Sequence, residues 1–182
     1  NGGTTEKECV TTILSENDVI SVSLNNFAFN TDFVFITRPE LYETALICGR
    51  KIIVPSNIAE KQKSVYEIDY KRWRVQYKGK TFDASGAVLL NMLNSVKPKE
   101  ILLAGFDGFS ADVNENYFSK ELRKPVVEQE NKERNAFYQN YISELSETNK
   151  ITFVTDSMYK YRGGYKRIVI SCRTPRFKGV AA

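Results

Sequence analysis

Apolar residues gather in five short runs along the chain: Val19–Leu24 (VISVSL), Phe33–Thr37 (FVFIT), Lys51–Ser56 (KIIVPS), Glu100–Phe106 (EILLAGF) and Ile151–Thr155 (ITFVT). Runs this short, with little polar alternation, predict strands covered on both faces, as in a parallel sheet between helices. The segments between them carry helical spacing. Thr5–Ser15 opens with Thr5 and Glu8 spaced as a capping box. Pro39 heads PELYETAL at a first helical position. Within Ala84–Val96, the residues Val88, Leu89, Met92, Leu93 and Val96 share one side, and Phe137, Tyr141 and Leu145 recur every four residues in Asn131–Glu147. Both patterns predict helices that face a core.

Residues 57–82 are less regular. SVYEIDY and RWRVQYKGKTF have the β-propensity of short strands or an extended flap, with Lys78-Gly79-Lys80 as a turn. Residues 108–130 are polar, contain Pro125 and predict an excursion over the sheet, while Arg167–Ser171 (RIVIS) predicts an antiparallel edge strand. The alternation of apolar strands with helices predicts an α/β fold: a Rossmann-like three-layer sandwich with a mostly parallel sheet. We expect residues 1–182 to form a single domain, with residues 158–182 as a basic C-terminal segment. The start at Asn1 without methionine leads us to expect a domain excised from a longer chain, its first strand missing or truncated.

Composition narrows the chemistry. At 42% hydrophobic and 26% charged residues the chain has the balance of a soluble globular protein, and no apolar run approaches the roughly 18 residues of a membrane span. Seven basic residues and no acidic ones follow Asp156, which leaves 19 basic against 22 acidic in residues 1–156, a net −3. That split does not predict a nucleic-acid partner. Cys9, Cys48 and Cys172 are far apart and form no CxxC pair, which predicts reduced, mostly buried thiols in a cytoplasmic protein. Histidine is absent. No imidazole in this chain serves as a general base, metal ligand or triad member, so carboxylates, Lys, Tyr and Cys are the remaining candidates. No metal site is expected.

Parallel α/β sheets bind ligands outside the carboxyl ends of their strands, and four loops fall at strand ends or helix starts. Asn1-Gly2-Gly3-Thr4-Thr5 combines glycines with a helix start, where backbone N–H groups meet phosphate. Asn25-Asn26-Phe27 follows the first strand; an asparagine side chain donates and accepts, which suits a base edge or a ribose, and equally suits a turn. Asp83-Ala84-Ser85-Gly86 leads into a helix, where Asp83 or Ser85 would cap it or the N–H groups would receive a ligand. Gly105-Phe106-Asp107 ends a buried strand with a carboxylate that must be solvated, paired or used.

The segment DASGAVLLNMLNSVKPKEILLAGFDGFSADVNENYF resembles the core of the family-42 sialyltransferases and of the MptE-like 6-hydroxymethylpterin diphosphokinase group. The resemblance rests on Ser85-Gly86 opening a helix, Lys99-Glu100 leading into a strand, Gly105-Phe106-Asp107 closing it, and Phe109 and Tyr117 in the loop beyond. It extends loosely to Asn25-Asn26-Phe27 as the strand-end asparagines and to Asn1-Gly2-Gly3 as a remnant of a Gly-Asn-Gly-Pro-Ser loop. It implies a Rossmann-like fold holding a cytidine nucleotide or another nucleotide, lined by Gly2, Gly3, Asn25, Asn26, Ser85, Gly86, Gly105, Asp107 and Tyr117. The chain departs from the sialyltransferases in having no histidine to act as base, and Thr4-Thr5 stands where Pro-Ser belongs. Fold transfers across such departures better than catalysis does.

MptE-like domains also resemble appendages of larger enzymes, including aldolases similar to the hydroxymethylglutaryl-CoA lyase barrel, and the ending FKGVAA is similar to the first strand of a cytidylyltransferase. The expectation is therefore an auxiliary, non-catalytic domain that binds a nucleotide or sugar phosphate, with other domains of the same polypeptide as partners and room for a homo-oligomer. Two alternatives stand beside it. One is a glycosyl- or diphospho-transferase in which a carboxylate, Asp107 or Asp112, replaces the family histidine as catalytic base. The other is an interaction domain whose cleft is vestigial.

Overall fold

The computed structural model describes residues 19–27, 29–58, 65–110 and 127–159. Four short strands, β1 (Val22–Leu24), β2 (Phe33–Phe35), β3 (Lys51–Pro55) and β4 (Val65–Ile68), lie side by side in sequence order. All are parallel, with Val22 opposite Phe33, Phe33 opposite Lys51, and Ile52 opposite Val65. A second parallel pair joins β7 (Ile101–Leu103) to β8 (Ile151–Phe153). Between them in sequence, β5 (Val75–Tyr77) and β6 (Lys80–Phe82) form an antiparallel hairpin, with both Lys78 and Gly79 of the expected turn at positive φ.

Each apolar run thus became a parallel strand, most of them shorter than the run itself. Side-chain alternation sends the four-stranded sheet's apolar residues to both faces. Val34, Ile36, Ile52 and Val54 pack with Tyr42 and Ala45 of helix α1 (Tyr42–Ile47), which follows a 3₁₀ turn begun by Pro39. On the other face Phe35, Val22, Leu24 and Ile53 pack with Val88 and Leu89 of helix α3 (Ser85–Ser95). A one-turn helix, α2 (Tyr70–Trp73), is capped by Asp69, whose carboxylate accepts from the Lys71 N–H at 3.0 Å. Helices on both faces of a parallel sheet make this an α/β fold.

Helix α3 has a second side. Ala87 and Leu90 pack with Ile101 and Leu103 of β7 in a separate core built mainly by α4 (Glu128–Leu145). The four-residue aromatic stripe of α4 lies inside it as the spacing predicts. Phe137 stacks on Phe82 with centroids 4.1 Å apart and on Tyr141 at 5.4 Å, and Tyr77 meets Phe137 edge-on at 5.6 Å.

Several expectations need correction. Val96 does not share the apolar side of α3; it follows the helix and is 70% exposed. Of the two forms expected for residues 65–68, a short strand or a flap, the strand is present, with Tyr66 and Glu67 exposed at the edge. Cys48 is an exposed free thiol, not a buried one. The polar excursion ends earlier than expected, because α4 already begins at Glu128. The Thr5–Ser15 helix, the Arg167–Ser171 strand, Cys9 and Cys172 lie outside the described residues. Among the described residues, no helix is long and apolar enough to cross a membrane.

Candidate site at the carboxyl edge of the sheet

The first strand ends at Asn25, which turns into the left-handed region at φ 49 and is 8% exposed. Asparagine is one of the few side-chain-bearing residues that takes this conformation routinely. Its backbone N–H still closes the ladder on the Phe35 carbonyl at 2.9 Å. Its side chain is thereby aimed across the end of β2. The Asn25 Oδ1 accepts from the Thr37 N–H at 2.8 Å, and Asn25 Nδ2 donates to Thr37 Oγ1 at 2.8 Å. Thr37 Oγ1 in turn lies 2.6 Å from Ser85 Oγ, at the first residue of α3. One asparagine thus ties two strand ends to a helix start.

Either hydroxyl can donate in the Thr37–Ser85 pair. When Thr37 donates, the Ser85 hydroxyl hydrogen is left for an acceptor outside the cluster. No charged side chain belongs to this hydrogen-bonded chain. Any anion met here would be held by hydroxyls and by the first-turn N–H groups of α3.

Neither Asp83 nor Ser85 caps α3. The cap position is Ala84, without a side-chain bond, and Ser85 faces Thr37. Asp83 is drawn away by Arg74, whose Nε and Nη2 reach its two oxygens at 2.6 Å each. This fork from the guanidinium, joined by a Tyr70 hydroxyl bond, holds the Asp83 carboxyl below the usual carboxylate range.

Gly86 has a steric reason to be glycine. A Cβ there would sit 2.8 Å from the Tyr138 hydroxyl and 3.3 Å from Phe106 Cζ. The start of α3 is therefore pressed against α4 and against the loop that carries Asp107. Burial pushes the Tyr138 phenol pKa well up, so it stays protonated.

The Asp107 loop is held from three sides. Gly105, at φ 71, donates its N–H to Thr155 Oγ1 at 2.8 Å, and Thr155 reaches Asp107 Oδ1 at 3.4 Å. The Met158 N–H donates to the Asp107 carbonyl at 3.0 Å. Further along, Asn135 of α4 brackets Phe109: its Oδ1 accepts from the Phe109 N–H and its Nδ2 donates to the Phe109 carbonyl, both at 2.8 Å. Asn131, one turn earlier, donates to the Ser110 carbonyl at 3.0 Å. Asp107 thus sits on an anchored loop at the same edge as Ser85, bridged to it by the Phe106–Gly86 contact.

Among the expected site residues, Asn25, Ser85 and Gly86 come together, and Gly105 and Asp107 adjoin them through Phe106. The Asn26 carbonyl accepts from Ser23 Oγ at 2.8 Å, which ties its backbone to β1. Gly2, Gly3 and Tyr117 lie outside the described residues. Thr37, Thr155 and Tyr138 were missed. The signal for Thr37 was present in the sequence, as a hydroxyl closing an apolar run just before Arg38-Pro39.

No protein-family model, curated protein or solved structure matches this chain.

Beside the cluster lies a groove of about 260 Å³ lined by Thr81, Phe82, Asp83, Ala84, Glu130, Glu133 and Arg134. Its charges are largely paired: Arg134 bonds Glu130 at 3.1 Å, and its guanidinium lies 5.5 Å from the Phe109 ring centre. Among the described residues there is no group of three or more Cys, Asp or Glu able to hold a metal ion.

Proposed function

We propose that this chain is a Rossmann-like domain that binds a nucleotide or sugar phosphate and serves as an auxiliary, non-catalytic part of a larger carbohydrate- or aldol-type enzyme. The observation that carries this reading is the Asn25–Thr37–Ser85 chain of hydrogen bonds, which gathers two strand ends and the start of an eleven-residue helix at one sheet edge. Strand ends with short polar side chains beside a helix start suit a ribose or base edge next to a phosphate. Gly86 supports the same reading, because the helix start carries no side chain where it meets the Asp107 loop. Cytidine nucleotides are the ligands of choice, on the resemblance of the Ser85-Gly86 and Gly105-Phe106-Asp107 segments. Titration calorimetry with CMP, CTP, ATP and CMP-sialic acid tests this reading. Binding of one of them, weakened in Ser85→Ala, supports it, and no heat from any at millimolar concentration removes it.

A second reading has its own observation. Both ends of the Asn25 amide are spent on Thr37, and the Ala87 N–H is already bonded to the Ala84 carbonyl at 2.9 Å. A cleft so satisfied by its own groups fits an interaction domain with a vestigial site. Failure of all four ligands to bind, with the fold intact, selects this reading.

A further inference from the structure

The two parallel sheets run side by side, and among the described residues no strand fills the lane between them. Their common direction follows from α3. Its first residues meet the carboxyl end of β2, through Thr37 and Ser85 at 2.6 Å, and the carboxyl end of β7, through Phe106 beside Gly86. Its far end meets the amino end of β8, where Asn149 Nδ2 donates to Asn94 Oδ1 at 2.7 Å. All these strands therefore run antiparallel to α3 and parallel to one another.

The same helix covers both sheets. Val88 and Leu89 pack over Val22, Leu24 and Phe35, while Ala87 and Leu90 pack over Ile101 and Leu103. An α-helix is about 10 Å across with its side chains, and neighbouring strands are about 4.8 Å apart. A helix that touches β1 on one flank and β7 on the other leaves the width of about one strand between them.

Both lane walls present backbone groups. Phe33 N–H bonds to Ser21 O and Asn25 N–H to Phe35 O, so β1 spends its odd-numbered residues on β2. By alternation Val22 and Leu24 turn their N–H and C=O groups toward the lane. Ile101 N–H bonds to Lys150 O and Val154 N–H to Leu103 O, so Leu102 turns its groups the same way from the opposite wall. Among the described residues β1 and β7 have no partner strand on these sides. All three residues are half-buried, a poor place for unpaired backbone groups.

The geometry points to one further parallel strand in this lane: an extended apolar segment of the protein's own polypeptide, lying outside residues 1–182, that joins the two sheets into one. It must be apolar because α3 roofs the lane. It belongs to the same polypeptide because a parallel neighbour of β1 reaches it through a crossover of a dozen or more residues, and residues 1–21 ahead of β1 are long enough to be that connection. The loop leaving this strand emerges between Asn25 and Phe106-Asp107, so the candidate cleft is completed by it.

Amide hydrogen exchange read by NMR tests the lane directly. The probe is the sequence Val-Leu-Leu-Val-Val fused ahead of Asn1, compared with the unextended chain, with a Ser-Asn-Ser-Asn-Ser fusion, and with the unextended chain plus the free Val-Leu-Leu-Val-Val peptide. The expected result is at least tenfold slower exchange at Val22, Leu24 and Leu102 in the apolar fusion alone, with a higher melting temperature. Three results overturn the inference: no change in the fusion, equal protection by the free peptide, or protection already complete in the unextended chain. The last would mean that a run such as Arg167–Ser171 fills the lane.

Discussion

Two polar regions flank the start of α3, and they are built on opposite principles. On the sheet side, Asn25, Thr37 and Ser85 form an uncharged, half-buried chain in which a single amide makes two 2.8 Å bonds. On the hairpin side, Arg74–Asp83 and Arg134–Glu130 are ion pairs open to water. A buried neutral network costs heavily when one member is removed, because its partners cannot turn to solvent. Exposed ion pairs contribute little, because water and salt replace them. Stability should therefore reside on the sheet side, although the charges are on the other.

The largest break comes from closing the gap between α3 and α4. Gly86→Ala places a methyl 2.8 Å from the Tyr138 hydroxyl, and should cost about 1–3 kcal/mol, the usual range for overpacking a filled core. Tyr138→Phe removes the obstructing oxygen, so the double variant should recover part of the loss. Denaturant melts of the four proteins in the cycle measure this coupling. Additive losses would mean that the helices separate freely and that Gly86 is glycine for another reason.

Asn25→Ala comes next. It leaves the Thr37 N–H and hydroxyl without their partner and puts an alanine at φ 49, so a loss of about 1–3 kcal/mol is expected in chemical denaturation. Thr37→Val keeps the shape and removes one hydroxyl, for about 1 kcal/mol. A Thr37→Val loss equal to that of Asn25→Ala would show that Asn25 matters only through that hydroxyl.

These residues also show what was legible in the sequence. The strands of the parallel sheet could be read because Val34, Phe35, Ile36, Ile52 and Ile101 need cover on both faces, and only a sheet between helices provides it. The aromatic stripe of α4 was legible for the same reason of spacing. Capping of α3 was not, since Asp83 is claimed by Arg74, nine residues back on the far side of a hairpin. Local preference cannot register such a competitor. Thr37 was hidden at the end of an apolar run, and its role appears only when β1 brings Asn25 beside it. Residues 65–68 could be read only as strand or flap, because an edge strand with Tyr66 and Glu67 in water lacks the apolar continuity of its neighbours. Asn25, Ser85 and Asp107 were legible as strand-end and helix-start residues, but their bridging by Phe106 and Gly86 was not.

The smallest effects belong to the charged side. Arg74 holds the folded-state pKa of Asp83 below its unfolded value of about 3.9. Its contribution is therefore present above that pH and is lost as the pH falls through the depressed folded value. Asp83→Asn should lower stability slightly near neutrality, by an amount that shrinks as the pH falls below about 4, which flattens the acid limb of the stability curve. Thermal melts between pH 2 and pH 7 check this. A Asp83→Asn loss at pH 7 as large as that of Asn25→Ala would reverse the comparison between the two sides.

Which side receives a ligand is decided most directly by an NMR titration with CMP, following backbone amides across the whole chain. Binding at the sheet edge predicts saturating shifts concentrated at Asn25, Thr37, Ser85, Gly86 and Ala87, extending to Asp107 through Phe106, and abolished in Ser85→Ala. Shifts confined to Thr81–Asp83 and Glu130–Arg134, or none at millimolar CMP in a folded protein, would contradict it.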